Sequence, residues 1–65
     1  MKGRVKSYSK SHGYGFITDG NVDFRFTGKD WNYRLPPTEG LEVAFFPVAT
    51  EKGMKATKIR RVKDV

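Results

Sequence analysis

Residues 11–26 read SHGYGFITDGNVDFRF, and within them apolar and polar side chains alternate over Tyr14–Thr18 and again over Val22–Phe26. Alternation with a period of two is the signature of a strand, and the intervening Asp19–Gly20–Asn21 offers the positive φ of a tight connection. The stretch reads as a β-hairpin. The same rhythm extends in both directions, predicting further strands at Gly3–Ser9, Leu41–Val48 and Met54–Val62, with turns at Lys10–Gly13 and Glu51–Gly53. The last run is helix-compatible in composition. Its β-branched Thr57, Ile59 and Val62, and the need of the first strand for a neighbour, favour a strand that frays at Lys63–Val65.

Thr27–Gly40, TGKDWNYRLPPTEG, interrupts this rhythm with adjacent prolines and exceeds most connections in compact domains. Short strands with one long connection between the third and the fourth suit a small closed barrel, because closure removes exposed edges. The expected fold is therefore all-β, a five-stranded antiparallel barrel formed as one domain over residues 1–65. Every second strand position must fill the interior. Val5, Ile17, Val22, Phe24, Val43, Phe45 and Ile59 can do so, with Ala56 at a narrow point. A chain this short buries only about 60% of the surface exposed when unfolded, so the core must be thin.

Composition narrows the function. The chain has no cysteine and one histidine, His12, which leaves no disulfide framework, no thiolate metal site and no cysteine nucleophile. The acidic residues are scattered and offer no nucleophile–base pair, so no enzymatic activity, cofactor or small-molecule substrate is expected. No apolar run reaches the roughly 18–20 residues of a membrane span, and MKGRVKSYSK lacks the apolar stretch of a secretory signal, so a cytoplasmic location is expected. Thirteen Lys and Arg against seven Asp and Glu give a net charge of +6, which attracts polyanions, nucleic acid first.

Strand parity sorts the aromatic residues. Ile17 is the better core residue, and if it points inward, Tyr14 and Phe16 point outward together. On the first strand the same parity puts Arg4, Lys6 and Tyr8 opposite Val5. The resulting outer face of cations and rings matches what single-stranded nucleic acid requires: bases stack on rings at about 1–3 kcal/mol each while Lys and Arg follow the phosphates. The competing account is that pairs such as Tyr8 and Tyr14 only stabilise the sheet, at about 0.2–1 kcal/mol per pair.

At these residues the chain resembles the cold-shock domain family, whose members are OB-type barrels that bind single-stranded DNA and RNA. His12–Ile17, HGYGFI, is similar to the family's first ribonucleoprotein motif, K-G-F/Y-G-F-I, with Tyr14 and Phe16 in the stacking positions. Val22–Phe26, VDFRF, is a weaker counterpart of the second motif, V-F-V-H-F, and Gly3–Ser9, GRVKSYS, resembles the lead-in G-K-V-K-W-F-N. The second half is held mainly by Gly40, Val43, Phe45, Gly53 and Ile59. Ser7 stands where the family usually has tryptophan, Asp23 where it has an outward phenylalanine, and Arg25 where it has histidine.

The resemblance implies an OB-type barrel that holds open single strands of RNA or DNA, as an RNA chaperone does. Lys6, Tyr8, Tyr14, Phe16, Arg25, Phe26, Trp31, Tyr33 and Lys55 are the candidate contact residues. Arg25 is open to two roles, a surface ion pair with Asp23 or a base platform. Phe26 either borders the platform or enters the core, and Trp31 and Tyr33 either close over a base or plug the barrel mouth. Lys55 and Lys58 read as general electrostatics before specific contacts. With Ser7 and Asp23 in place of rings, weaker binding than in a typical member is expected, by a monomer with no membrane partner. Two rivals remain: a protein-interaction module using Phe46, Trp31 and Tyr33, and a small basic barrel binding duplex DNA.

Overall fold

In the computed structural model, residues 1–32 and 35–62 are described. They contain five strands: β1 (Lys2–Ser9), β2 (Tyr14–Thr18), β3 (Asp23–Thr27), β4 (Glu42–Thr50) and β5 (Gly53–Arg61). The strands close into a ring in the order β1-β2-β3-β5-β4. Four of the five pairings are antiparallel, and the expectation of a purely antiparallel sheet is corrected at the seam, where β3 and β5 run parallel through Arg25↔Lys55. The long connection after β3 is the reason. It carries the chain across to β1, so β5 returns beside β3 in the same direction, a geometry that needs a long crossover.

That connection also completes the seam. Trp31 bridges to Ile59 in parallel register, with the Ile59 N–H donating to the Asp30 carbonyl at 2.9 Å and the Asn32 N–H to the Ile59 carbonyl at 2.8 Å. On the other side of the ring, the Val5 N–H donates to the Leu41 carbonyl at 2.9 Å and the Gly40 N–H to the Val5 carbonyl at 2.8 Å.

The interior consists of Val5, Ile17, Phe24, Phe26, Val43, Phe45, Ala56 and Ile59. Phe24 and Phe45 meet with ring centroids 5.0 Å apart. The expected core residue Val22 is instead 41% exposed, and Phe26 occupies the interior. The Asp19 carboxylate accepts from the N–H groups of Asn21 and Val22, both at 2.8 Å, so Val22 is held in the turn before the strand begins.

Two irregularities change which way side chains point. In β1 the register against β2 shifts between Val5 and Ser7, a bulge that places Lys6 outside the regular pairing. Val5 opposes Ile17 before it, and Tyr8 opposes Gly15 after it. The bulge thereby turns Tyr8 to the core side, where its ring stacks on Phe26 at 5.7 Å and 12°. Gly15 makes this possible, since an added Cβ would collide with the Ser7 carbonyl oxygen and lie 2.9 Å from the Tyr8 Cα and 3.0 Å from Phe26 Cζ. A second shift lies between Ala44 and Phe46 of β4, facing Lys58 of β5, whose φ is +49°.

Pro47 sits within β4 without disturbing it. The Phe45 N–H faces β1, donating to the Met1 carbonyl at 2.8 Å, so by alternation the Pro47 nitrogen faces that same side, past the last β1 pairing. No ladder bond is lost there.

Gly15→Ala is expected to destabilise the fold by about 1–3 kcal/mol, the range for forcing atoms into a packed site. Urea denaturation will measure it, and a shift in midpoint at constant slope is the expected result.

Candidate nucleic-acid interface

The register defines an outer face across β1, β2 and β3. Ser9 opposes Tyr14 and Ser7 opposes Phe16, while Tyr14 opposes Thr27 and Phe16 opposes Arg25. Tyr14 and Phe16 meet edge to face, centroids 6.0 Å apart at 85°. Both rings are half-buried. The Arg25 guanidinium lies over Tyr14, 4.8 Å from its centroid, rather than beside Asp23. A guanidinium stacked on a ring offers its other plane to a further π-surface.

His12 extends this strip. Its ring packs against Tyr14 at 6.0 Å and 64°, and its Nδ1 lies 2.7 Å from the Ser9 hydroxyl. His12 is exposed in the turn before β2 and was not among the sequence candidates. The signal that could have found it is its place in HGYGFI, two residues before Tyr14.

The cations of the face are less free than parity implied. Asp23 takes Lys6, the residue at the bulge of β1, as its partner, Nζ to Oδ2 at 2.7 Å. Lys55 Nζ lies 3.6 Å from Asp30 Oδ2, and Asp30 also accepts from the Thr27 N–H at 3.0 Å and the Thr27 hydroxyl at 3.2 Å. The carboxylate of Asp30 thus ties the start of the long connection to the end of β3 and to β5.

The remaining candidate aromatics divide. Phe26 is wholly buried, so it supports the face from beneath and presents no surface for stacking. Tyr8 is half-buried on the core side and shares no face with Lys6 and Arg4, the bulge being the cause. Trp31 stacks on Phe26 at 5.6 Å and 30°, and its Nε1 donates to the Leu35 carbonyl at 2.7 Å. It plugs the mouth of the ring. Tyr33 lies outside the described residues.

Beside the face, between β3 and the β4–β5 hairpin, opens a cleft of about 300 Å³ whose walls include Arg25, Phe26, Thr27, Lys52, Met54 and Lys55. Lys52 and Met54 were not among the sequence candidates. The turn Glu51–Gly53 was legible, but the approach of its lysine to β3 depends on the parallel pairing. Among the described residues no group of three His, Cys, Asp or Glu side chains is placed to hold a metal, and no helix is long and apolar enough to cross a membrane. No protein-family model matches the chain, and no curated protein matches it.

Two carboxyls are held below the ordinary carboxylate value of 3.8: Asp23 by the hydrogen bond from Lys6, and Asp19 by the backbone N–H groups of Val22 and Asn21. A lowered folded-state pKa means that each contribution is full above the unfolded value and is lost as pH falls through the folded value. In Lys6→Ala the Asp23 carboxyl is expected to titrate higher, back toward its ordinary value, while Asp19 stays put. An NMR titration of the two carboxyls will separate them, and equal movement of both would contradict the pairing.

Proposed function

We propose that this chain is an OB-type barrel of the cold-shock kind that binds single-stranded RNA or DNA as a monomer, by stacking bases on Tyr14 and Phe16, and that it is not an enzyme. The observation that carries the reading is the strip His12–Tyr14–Phe16 with Arg25 over Tyr14, a set of rings and one planar cation on the outer side of the sheet. Each base offers a π-face to such a strip irrespective of its identity, so the recognition is tolerant of sequence. A duplex keeps its bases stacked on one another and gains less from it.

Lys6 and Asp23 set the strength of the interaction. Their ion pair spends one cation of the face on an internal carboxylate, and it places that carboxylate where phosphates would approach. Weak or moderate binding follows from the same geometry that supports the function. The long connection serves by rigidity: Trp31, fixed by its stacking on Phe26 and by its bond to Leu35, holds the inner side of the strip against movement.

Fluorescence anisotropy with a labelled oligothymidine at low salt tests the reading. Tyr14→Ala is expected to lower affinity by about 1–3 kcal/mol with the melting temperature little changed. Equal affinity for duplex and single strand, or no binding at low salt, would overturn the proposal. Asp23→Asn is expected to raise affinity about two- to fivefold by freeing Lys6, the scale of a screened surface pair. A short strand should show the salt slope of about 3–5 phosphate contacts.

A further inference from the structure

The outer surface does not stop at β3. Register carries it on around the ring, from Phe16 to Arg25, from Arg25 to Lys55, and from Lys55 to Val48. These are three interstrand steps, about 14 Å along the backbone at about 4.8 Å per step. Phe46 stands two residues from Val48 on β4 and therefore shares its side of the strand.

Phe46 is 55% exposed, the ring of β4 that does not enter the core, whereas its neighbour Phe45 is buried. The ammonium of Lys58 lies over it, 5.7 Å from the ring centroid. Lys58 reaches that position from the bulge of β5, in a left-handed conformation that a lysine rarely adopts. Backbone irregularity, cation and exposed ring coincide at one place.

Among the described residues, carboxylates hold Lys6 and Lys55, and none holds Lys52, Lys58 or Arg60. The hairpin thus carries three cations without a carboxylate partner, as Lys2, Arg4, Lys10, Arg25 and Lys29 also are elsewhere among the described residues. The cleft lined by Arg25, Lys52 and Lys55 lies beside the Arg25–Lys55 step of this path.

We propose that a single strand seated on Tyr14 and Phe16 continues around the ring and reaches a second stacking platform, Phe46 beneath Lys58. The proposal rests on the single-strand reading above and extends it. Domains of this size class bind about 4–16 nucleotides per barrel, so a tetranucleotide covers the first platform alone and a dodecanucleotide can cover both.

Anisotropy with labelled oligothymidines of these two lengths, on the wild-type chain and on Phe46→Ala, Lys58→Gly and Tyr14→Ala, decides it. Glycine at position 58 suits the local φ and removes the whole side chain with its ammonium, and thermal melts establish that each variant is folded. Phe46→Ala is expected to weaken dodecamer binding roughly 5- to 100-fold and to leave tetramer binding within about twofold. Lys58→Gly is expected to reduce the dodecamer salt slope by about 0.7, the value for one phosphate contact on a single strand. Dodecamer binding indifferent to Phe46→Ala, or an equal loss at both lengths, overturns the second platform. If the tetramer still binds and Tyr14→Ala removes that binding, the first reading survives such a failure; if neither length binds the wild-type chain, both readings fall. Capture of an acidic peptide of Asp and Glu around one Trp through Phe46, with the dodecamer indifferent to the same change, assigns the hairpin to a protein partner and likewise overturns the proposal.

Discussion

The missing side chain of Gly15 is the constraint from which the interface follows. Tyr8 and Phe26 come together over that position, and neither could do so around a Cβ. Gly15 is also the residue between Tyr14 and Phe16, so the strand is bare on the inner side where it carries rings on both neighbouring outer positions. The inner stack, Tyr8 on Phe26 on Trp31, backs the outer strip across one layer of backbone. Displayed aromatics on a thin sheet would otherwise lack rigid support, and a stacking platform gains from rings whose ordering has been achieved before the ligand arrives.

Electrostatics distribute differently from aromatics. The rings cluster on β2, but the two lysines nearest them are held by Asp23 and Asp30, so the positive potential of the molecule is carried by other residues. Exposed ion pairs of this kind contribute little to stability. Their consequence is local: they neutralise two cations of the face and leave its rings in place. A +6 chain can thus attract a polyanion over long range while its aromatic platform discriminates by stacking at short range.

Much of this was legible in the sequence, and each failure has its own physical cause. Alternation located the five strands, and parity assigned Ile17 inward with Tyr14 and Phe16 outward, because β2 is short and regular. The same parity failed in β1, where the bulge after Val5 adds one residue and inverts every later side chain, so Tyr8 faces the core. Nothing in GRVKSYS announces a bulge. Phe26 shares parity with Phe24 and is buried with it, which selects the core from the two roles the sequence left open. Val22 obeyed parity too, but the carboxylate of Asp19 claimed it for the turn. The parallel seam was out of reach, since it depends on where a long connection delivers the chain and not on any strand's own pattern.

The seam is also where fold and candidate site become inseparable. Among the described residues only Arg25↔Lys55 joins β3 to β5 as a strand pair, and the Trp31–Ile59 bridge lends that junction a second point of attachment. Arg25 therefore has two duties, with its backbone closing the ring and its guanidinium covering Tyr14. Asp30 likewise binds Thr27 and draws Lys55 toward it, so the carboxylate that neutralises a cation of the face also fixes the connection from which Trp31 projects. A closed sheet with so narrow a seam is most stable when the residues along it are mutually paired, whereas an anion-binding face is strongest when its cations are not. The pairing of Lys55 with Asp30 resolves that conflict in favour of closure, and it leaves Arg25, engaged with a ring and with no carboxylate, as the cation of the seam that remains open to a ligand.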